Sequence, residues 1–389
     1  MKITRVDATW LSVPIPEPQQ HVSDFGTAAT FDTALVRVHT DAGIVGVGEA
    51  KVSAGSPGDY HGVVAIINRE FGPTLVGQDP RNICRIWESL YSGTRGHYAL
   101  SRGHAFPALG RRGVSISAIS GIDIALWDIL GQSLGVPVWQ LLGGCQAERM
   151  PAYASGGWAS ADKIGEQLTG YVAKGDFTAV KMRIGVFDGS PGASAERVIA
   201  AREALGPSID LMVDAHGSFT VSEAKQFSHL TRDCGLAWFE EPVSGDDKRG
   251  LAEVRRFTHT PIAAGESECT RFDFRELIEL RAVDVLQPDL AICGGISEAM
   301  RISALVGAAN LRMAPHLWAG APAFAAGLHV AAASSCTHIL EYSLGANPLI
   351  HELVEERFAV VGGMLDIPDR PGLGITVKED FVERYQKAI

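Results

Sequence analysis

Two textures of hydrophobic patterning divide the chain. Apolar and polar positions alternate in ITRVDATWLSV (3–13), FDTALVRVHTD (31–41) and GIVGVGEA (43–50), with turn residues between them, which predicts strands. The period then lengthens. In AISGIDIALWDILGQSL, Ile119, Ile122, Leu126, Ile129 and Leu130 recur at helical spacing, predicting a helix from Ala118 to Leu134 that Gly135 and Pro137 terminate. From Met150 onward, short apolar runs alternate with helical segments. The runs close at PAYASGGW, AVKMRIG, DLMVDAHG, LAWFEEP, PIAAGES, DVLQPDL, LRMAPHLW and HILEYS. Eight strands in βα alternation over roughly 200 residues predict an α/β fold, a TIM-type parallel β/α barrel rather than an open sheet. The tail GGMLDIPDRPGLGITV is strand-like and rich in Gly and Pro, so it is expected to pack back on the N-terminal region.

Composition changes this picture in a few places. Met313 to Leu340 carries no Asp, Glu, Lys or Arg, yet it contains Pro315, Pro322, His316 and several glycines. A buried strand followed by a buried helix is expected there, not a membrane span. The N-terminal MKITRVDATWLSVPIPEP lacks the apolar core of a secretory leader. A net charge of −11 leaves no basic excess to neutralise phosphates, which argues against a nucleic-acid partner but not against an anionic small substrate. Six scattered cysteines without a CxxC pair read as reduced core thiols of a cytoplasmic protein. Neither a Gly-rich dinucleotide fingerprint nor a Walker A sequence follows any strand.

Barrel active sites lie at the C-terminal ends of the strands. Three strand ends carry acids, Asp214 in MVDAHG, Glu240 in WFEEP and Glu266 in AGES, each 26 residues from the next. Carboxylates converging from successive strands repel one another, so a hard cation is expected between them, and three oxygen ligands with open positions suit Mg²⁺. One unit apart on the next two strands stand Asp289 and His316, a carboxylate that can fix the tautomer of a histidine base. Glu341 on the eighth strand completes the ring. Lys181 and Arg183 alternate along TAVKMRIGV, so both project from one strand face and need anionic partners there.

These residues resemble the mandelate racemase subgroup of the enolase superfamily. The matches are Lys181 in a K-x-(K/R) motif, Asp214, Glu240 in EEP, Glu266 in GE, the Asp289/His316 pair and Glu341. The helix SGIDIALWDILGQSLGVPVWQLLGG and the closing PGLGI are similar too, so the resemblance spans essentially the whole chain. It implies an α+β capping domain from residues 1–125, a modified (β/α)7β barrel from 126–355, and a segment 356–389 that returns to the cap. Loops near 16–26 and 51–61 would then close over the barrel mouth and select substrate. It also implies a homo-oligomer that removes the proton α to a carboxylate bound to Mg²⁺, with no nucleic acid or membrane partner. Lys181 would add positive charge beside that carboxylate, Glu341 would offer a hydrogen bond as a protonated acid, and His316 would be the base.

The next step separates the candidate reactions. Racemisation needs a second base on the opposite face, which in the family is the second lysine of K-x-K. Arg183 stands there, and arginine stays protonated. Dehydration needs one base and an acid for the departing hydroxyl. His216, two residues past Asp214 and expected on the same strand face, is the candidate acid; the D-x-H it forms is similar to sugar-acid dehydratases of the galactonate type. The expectation is therefore dehydration of an aldonate or aldarate to a 2-keto-3-deoxy acid, with a racemase or epimerase as the alternative. His21, Asp24, Lys51 and His61 in the capping loops, with Tyr98, Arg102 and His104 in TRGHYALSRGH, are candidates for contacting a polyhydroxylated chain.

Overall fold

The computed structural model describes residues 1–17, 20–23, 26–53, 58–93, 101 and 111–388. Strands β1 (Ile3–Pro14), β4 (Thr30–Thr40) and β5 (Val45–Ala50) form an antiparallel sheet in that order, and a short hairpin of β2 (His21–Ser23) and β3 (Gly26–Ala28) lies between the first two. Against the sheet lies the helix Val114–Leu134, which starts earlier than the periodicity indicates and ends on left-handed Gly135. Gly46 and Gly48 let the two meet closely: a Cβ on either would sit 2.1 or 2.0 Å from a helix carbonyl oxygen, of Ala125 or Gly121. This helix is long and apolar enough to cross a membrane, but its apolar surface is buried in the fold. The boundary expected at residue 125 lies inside this one continuous helix.

The barrel strands are β6 (Arg149–Gly156), β7 (Ala179–Arg183), β8 (Asp210–Asp214), β9 (Leu236–Glu240), β10 (Ile262–Ala264), β11 (Val285–Leu286), β12 (Arg312–Met313) and β13 (Leu340–Ser343). They pair in parallel in chain order, β13 returns to β6, and a parallel bridge from Met313 to Thr337 closes the circle. Full-length helices follow the first seven strands and only a four-residue helix, Pro348–His351, follows the eighth, the (β/α)7β form expected. The charge-free stretch is β12 followed by the buried helix Ala321–Ala333. In the tail, β14 (Val360–Val361) and β15 (Met364–Asp366) form a hairpin whose second strand adds antiparallel to β6. Beyond it, Leu373 donates to Asp128 of the cap helix and Lys387 to the Trp10 carbonyl, so the tail touches both barrel and cap.

Cap and barrel meet through buried acids on helix ends. Asp123 of the cap helix accepts from the Ser297 amide and hydroxyl, in the first turn of the helix Gly295–Ala308. Glu49 accepts from Gly320 and Ala323 amides where the helix Ala321–Ala333 begins. Helix N-termini leave amides unbonded and carry positive partial charge, so a carboxylate from another element satisfies both. These contacts fix the cap above the barrel mouth.

Candidate active site

Each barrel strand sends one residue into a buried layer made of Tyr153, Ala179, Met212, Trp238, Ala263, Val285, Ala314 and Ile339. The alanines leave room that Tyr153 and Trp238 fill, their rings meeting edge to face at 5.2 Å. Two residues further along, the strand period brings the next inward position. Those positions hold Ser155, Lys181, Asp214, Glu240, Gln287, His316 and Glu341. The fifth strand departs from the rule. Gly265, with φ +131°, breaks the alternation, and the acid follows one residue later as Glu266. A side chain on Gly265 would sit 2.8 Å from the Phe274 ring and 3.2 Å from the Gln287 amide.

Asp214, Glu240 and Glu266 are buried, and one oxygen of each lies within 4.8 Å of the others. The set is all carboxylate oxygen on three adjacent strands, which fits a hard divalent cation and not a soft one. Cationic side chains surround it. Lys181 Nζ lies 2.6 Å from Glu240, 3.1 Å from Glu341 and 3.5 Å from Asp214. Arg183 Nη1 lies 3.1 Å from Asp214. The two cations of β7 thus share Asp214, the residue paired with Arg183 in the strand register. Burial pushes the Glu240 carboxyl up to about 7, with Asp214 and Glu266 adding to the rise and Lys181 opposing it. Burial also acts against the Lys181 charge, but Glu240 and Glu341 outweigh it and hold the ammonium well above its usual range. Neutral donors fix the far side of Glu240: Trp238 Nε1 at 2.9 Å and Gln287 Nε2 at 2.8 Å. Neither was identified from the sequence, although Trp238 is the i−2 neighbour of Glu240 on its own strand.

Asp289 and His316 join as expected, Asp289 Oδ2 to His316 Nδ1 at 2.8 Å, while Asp289 Oδ1 accepts from the Ala291 amide. His316 Nε2 points the other way, 3.6 Å from Glu266. Burial lowers the basicity of His316, yet Glu266 and the Asp289 bond outweigh it and raise its pKa. Glu341 accepts from the Leu317 amide at 2.9 Å. Burial favours its neutral form, but Lys181 and His316 outweigh burial and hold the carboxyl below its usual range. A substrate carboxylate placed beside it would push it back up.

His216 reaches the site by another route than the one expected. Strand β8 stops at Asp214, and His216 sits beyond it with φ +48°, its amide bonded to Asp214 Oδ1. The turn, not strand alternation, brings Nε2 to 3.1 Å from Glu266. Burial favours neutral Glu266, but His316 and His216 outweigh it and hold that carboxyl well below its usual range. Glu241 escaped notice for a related reason. Adjacent strand residues face opposite ways, yet Glu241 has φ +39° and turns its carboxylate toward His216 and Glu266. Burial, reinforced by Glu266, raises its pKa well above the usual range.

Of the capping-loop candidates, Lys51 is buried at 2% exposure, bonded to the Trp318 carbonyl at 2.6 Å and 3.7 Å from Asp289, so it is an interior residue. His61 is exposed, paired with Asp59 and edge-on to Trp10. The His21 backbone lies in the β2–β3 hairpin. Asp24, Tyr98, Arg102 and His104 lie outside the described residues. A cleft of about 830 Å³ opens beside Arg183, with Trp158, Tyr171, Phe187 and Gln20 on its walls.

Known proteins share this whole plan. Residues 5–143 match the N-terminal domain of the mandelate racemase and muconate lactonizing enzyme family, and residues 163–381 match the enolase C-terminal domain-like family. The chain is 34% identical to D-galactarolactone cycloisomerase of Agrobacterium fabrum, covering 99% of each, and 35% identical to D-galactonate dehydratase of Ralstonia pickettii, covering 91% of each. A solved racemase from Streptomyces coelicolor with bound magnesium superposes with a TM-score of 0.86 at 29% identity, over 99% of this chain and 100% of that one. The chain belongs to the mandelate racemase and muconate lactonizing enzyme family of the enolase superfamily.

Proposed function

We propose that the protein is a Mg²⁺-dependent hydro-lyase that removes water from a sugar acid, an aldonate or aldarate, to give a 2-keto-3-deoxy acid. The observation that carries this reading is the single base. His316 is held by Asp289, and the β7 position that carries the second base in the K-x-K pattern is Arg183, which stays protonated and lies 3.1 Å from Asp214. One base and one acid suffice for elimination. Magnesium held by Asp214, Glu240 and Glu266 would supply a Lewis acid for the substrate carboxylate.

The residues divide the remaining work. The Asp289 bond places the proton on Nδ1 of His316 and leaves Nε2 free to take the α-proton. Lys181 and Arg183 hold positive charge where the carboxylate gains electron density. His216 gives its proton to the β-hydroxyl as the carbon–oxygen bond breaks, so the hydroxyl leaves as water and the enol left behind becomes the 2-keto acid. Relatives named as galactonate and arabinonate dehydratases support this reading. The six unpaired cysteines support a reducing cytoplasm, and a homo-oligomer belongs to the same proposal, tested by light scattering.

A second reading has an observation of its own: the cycloisomerase relative aligns over 99% of the chain, against 91% for the dehydratase. The same base can start an elimination in which the departing oxygen belongs to a lactone, and no water is released. The test is a panel of aldonates, aldarates and aldarolactones with Mg²⁺ in D₂O, with keto acid trapped by semicarbazide and solvent deuterium located by NMR. Keto acid from open-chain acids supports dehydration, and keto acid from lactones alone moves the activity to cycloisomerisation. Exchange of both C2 epimers without keto acid overturns both readings in favour of a racemase.

A further inference from the structure

The end of cap strand β5 runs into the barrel between the loops that carry the two halves of the base. Three polar contacts tie Lys51 to those two loops. Its amide donates to the Ala291 carbonyl at 3.3 Å, two residues past Asp289. Its Nζ donates to the Trp318 carbonyl at 2.6 Å, two residues past His316. The same ammonium lies 3.7 Å from Asp289 Oδ2, the oxygen that binds His316. Two residues earlier, Glu49 bonds to Gly320 and Ala323, further along the His316 loop.

Burying a lysine is costly unless charge and donors are satisfied. Lys51 is 2% exposed and Asp289 1%, so the pair forms inside the protein, where screening by water is weak. Asp289 and His316 belong to neighbouring strands whose ladder here is one isolated bridge between those two residues. Lys51 adds a strut that ties one loop to the other from the cap side. The other ring nitrogen of His316, Nε2, faces Glu266 at 3.6 Å, away from the Asp289 oxygen that Lys51 approaches.

We infer that Lys51 is a positioning residue for the Asp289/His316 base, so that the cap supplies part of the catalytic geometry as well as covering the mouth. This rests on the reading of His316 as base. Misplacing a catalytic group by about 1 Å costs on the order of 10²-fold in rate, and loss of a group that orients a histidine costs about 10–100-fold.

The test compares wild type with Lys51→Met, which keeps the apolar stem of the side chain and loses its ammonium. Expected are a kcat lower by about 10–100-fold with KM within about threefold, and unchanged Mg²⁺ affinity by calorimetry. A second readout needs no substrate: the Nδ1 proton of His316, assigned with the His316→Asn protein, should shift or broaden in the ¹H spectrum of Lys51→Met. Lys51→Gln, whose amide still donates to the Trp318 carbonyl, should fall between wild type and Met. If no sugar acid is turned over by wild type, the proposed function fails while the proton spectrum still decides the role of Lys51. A kcat within threefold of wild type with the proton unmoved overturns the inference. So does a loss carried by KM alone, which would make Lys51 a substrate contact. Failure of both variants to fold would overturn it too, leaving Lys51 a purely structural residue.

Discussion

Two groups of buried carboxylates can be compared in this molecule, one along the seam where the cap meets the barrel and the C-terminal tail, and one in the barrel mouth. Asp123, Asp128 and Glu49 at the seam are as buried as Asp214, Glu240 and Glu266 at the mouth. Their partners differ. Asp128 accepts from the Val47 and Leu373 amides and from Gln132, each at 2.9 Å, and Asp123 from the Ser297 amide and hydroxyl. These donors are neutral and mostly fixed in the backbone. The mouth acids are held chiefly by charged side chains, Lys181, Arg183, His216 and His316, which can yield their place to another cation. Burial of an acid therefore does not mark a site by itself. An acid whose partners are movable charges does.

The largest expected effect breaks the mouth and spares the seam. Chelation, or Glu240→Gln, should bring turnover to background, a loss of 10³-fold or more if the metal supplies most of the charge stabilisation. Metal-free Glu240→Gln should still unfold cooperatively, because Lys181 keeps Glu341 at 3.1 Å and Asp214 at 3.5 Å as carboxylate partners. Activity assays with Mg²⁺ add-back, alongside thermal melts, check both halves. A collapsed fold with intact specific activity would reverse the comparison.

Next in size is the base. His316→Asn should lower turnover by about 10²–10⁴-fold and remove α-proton exchange in D₂O, measured by NMR on the same samples. A loss below tenfold would take the base away from His316, leaving the acid trio intact as a metal site.

Much of the mouth was legible in the sequence because local rules generate it. Strand period and βα repeat place Asp214, Glu240, Asp289, His316 and Glu341 at strand ends, and those rules need only neighbouring residues. Where the backbone left the pattern, the reading was less exact. Glu266 was found although Gly265 shifts it by one position, His216 was found but arrives by a left-handed turn rather than by alternation, and Glu241, also left-handed, was missed. The seam was not legible at all. Asp123 meets Ser297 across 174 residues and Lys51 meets Trp318 across 267, and no periodicity encodes docking between elements so far apart. Lys51 therefore read as a loop residue facing substrate until burial placed it behind the base.

A smaller effect breaks the seam and spares the mouth. Asp123→Ala leaves the Ser297 amide and hydroxyl buried without their acceptor, which costs about 1–3 kcal/mol. Denaturant unfolding should show that loss, while kcat at 25 °C of the folded fraction stays within twofold. A tenfold fall in kcat at unchanged stability would mean the seam acid acts on the site.

The smallest effect concerns the charge state of the seam. Burial raises the Asp123 carboxyl from 3.8 to about 7 in the fold, against the lowering influence of its Ser297 bonds. Between those values the folded chain holds a proton that the unfolded chain has lost. Stability then falls as pH rises from about 4 to about 7 and levels off above that, the sign required when the native state binds more protons. Asp123→Asn keeps the shape and an acceptor oxygen but cannot titrate. Asp128, raised by burial to about 6, behaves alike in both proteins and cancels from the difference. Melting temperatures should therefore draw together, or cross in favour of the variant, as pH rises from 5 to 8. A difference that stays constant over that range would mean Asp123 is already ionised at pH 5. The neutral donors of the seam would then stabilise a full charge as well as the cations of the mouth do, and the contrast between the two groups would reduce to how easily their partners move.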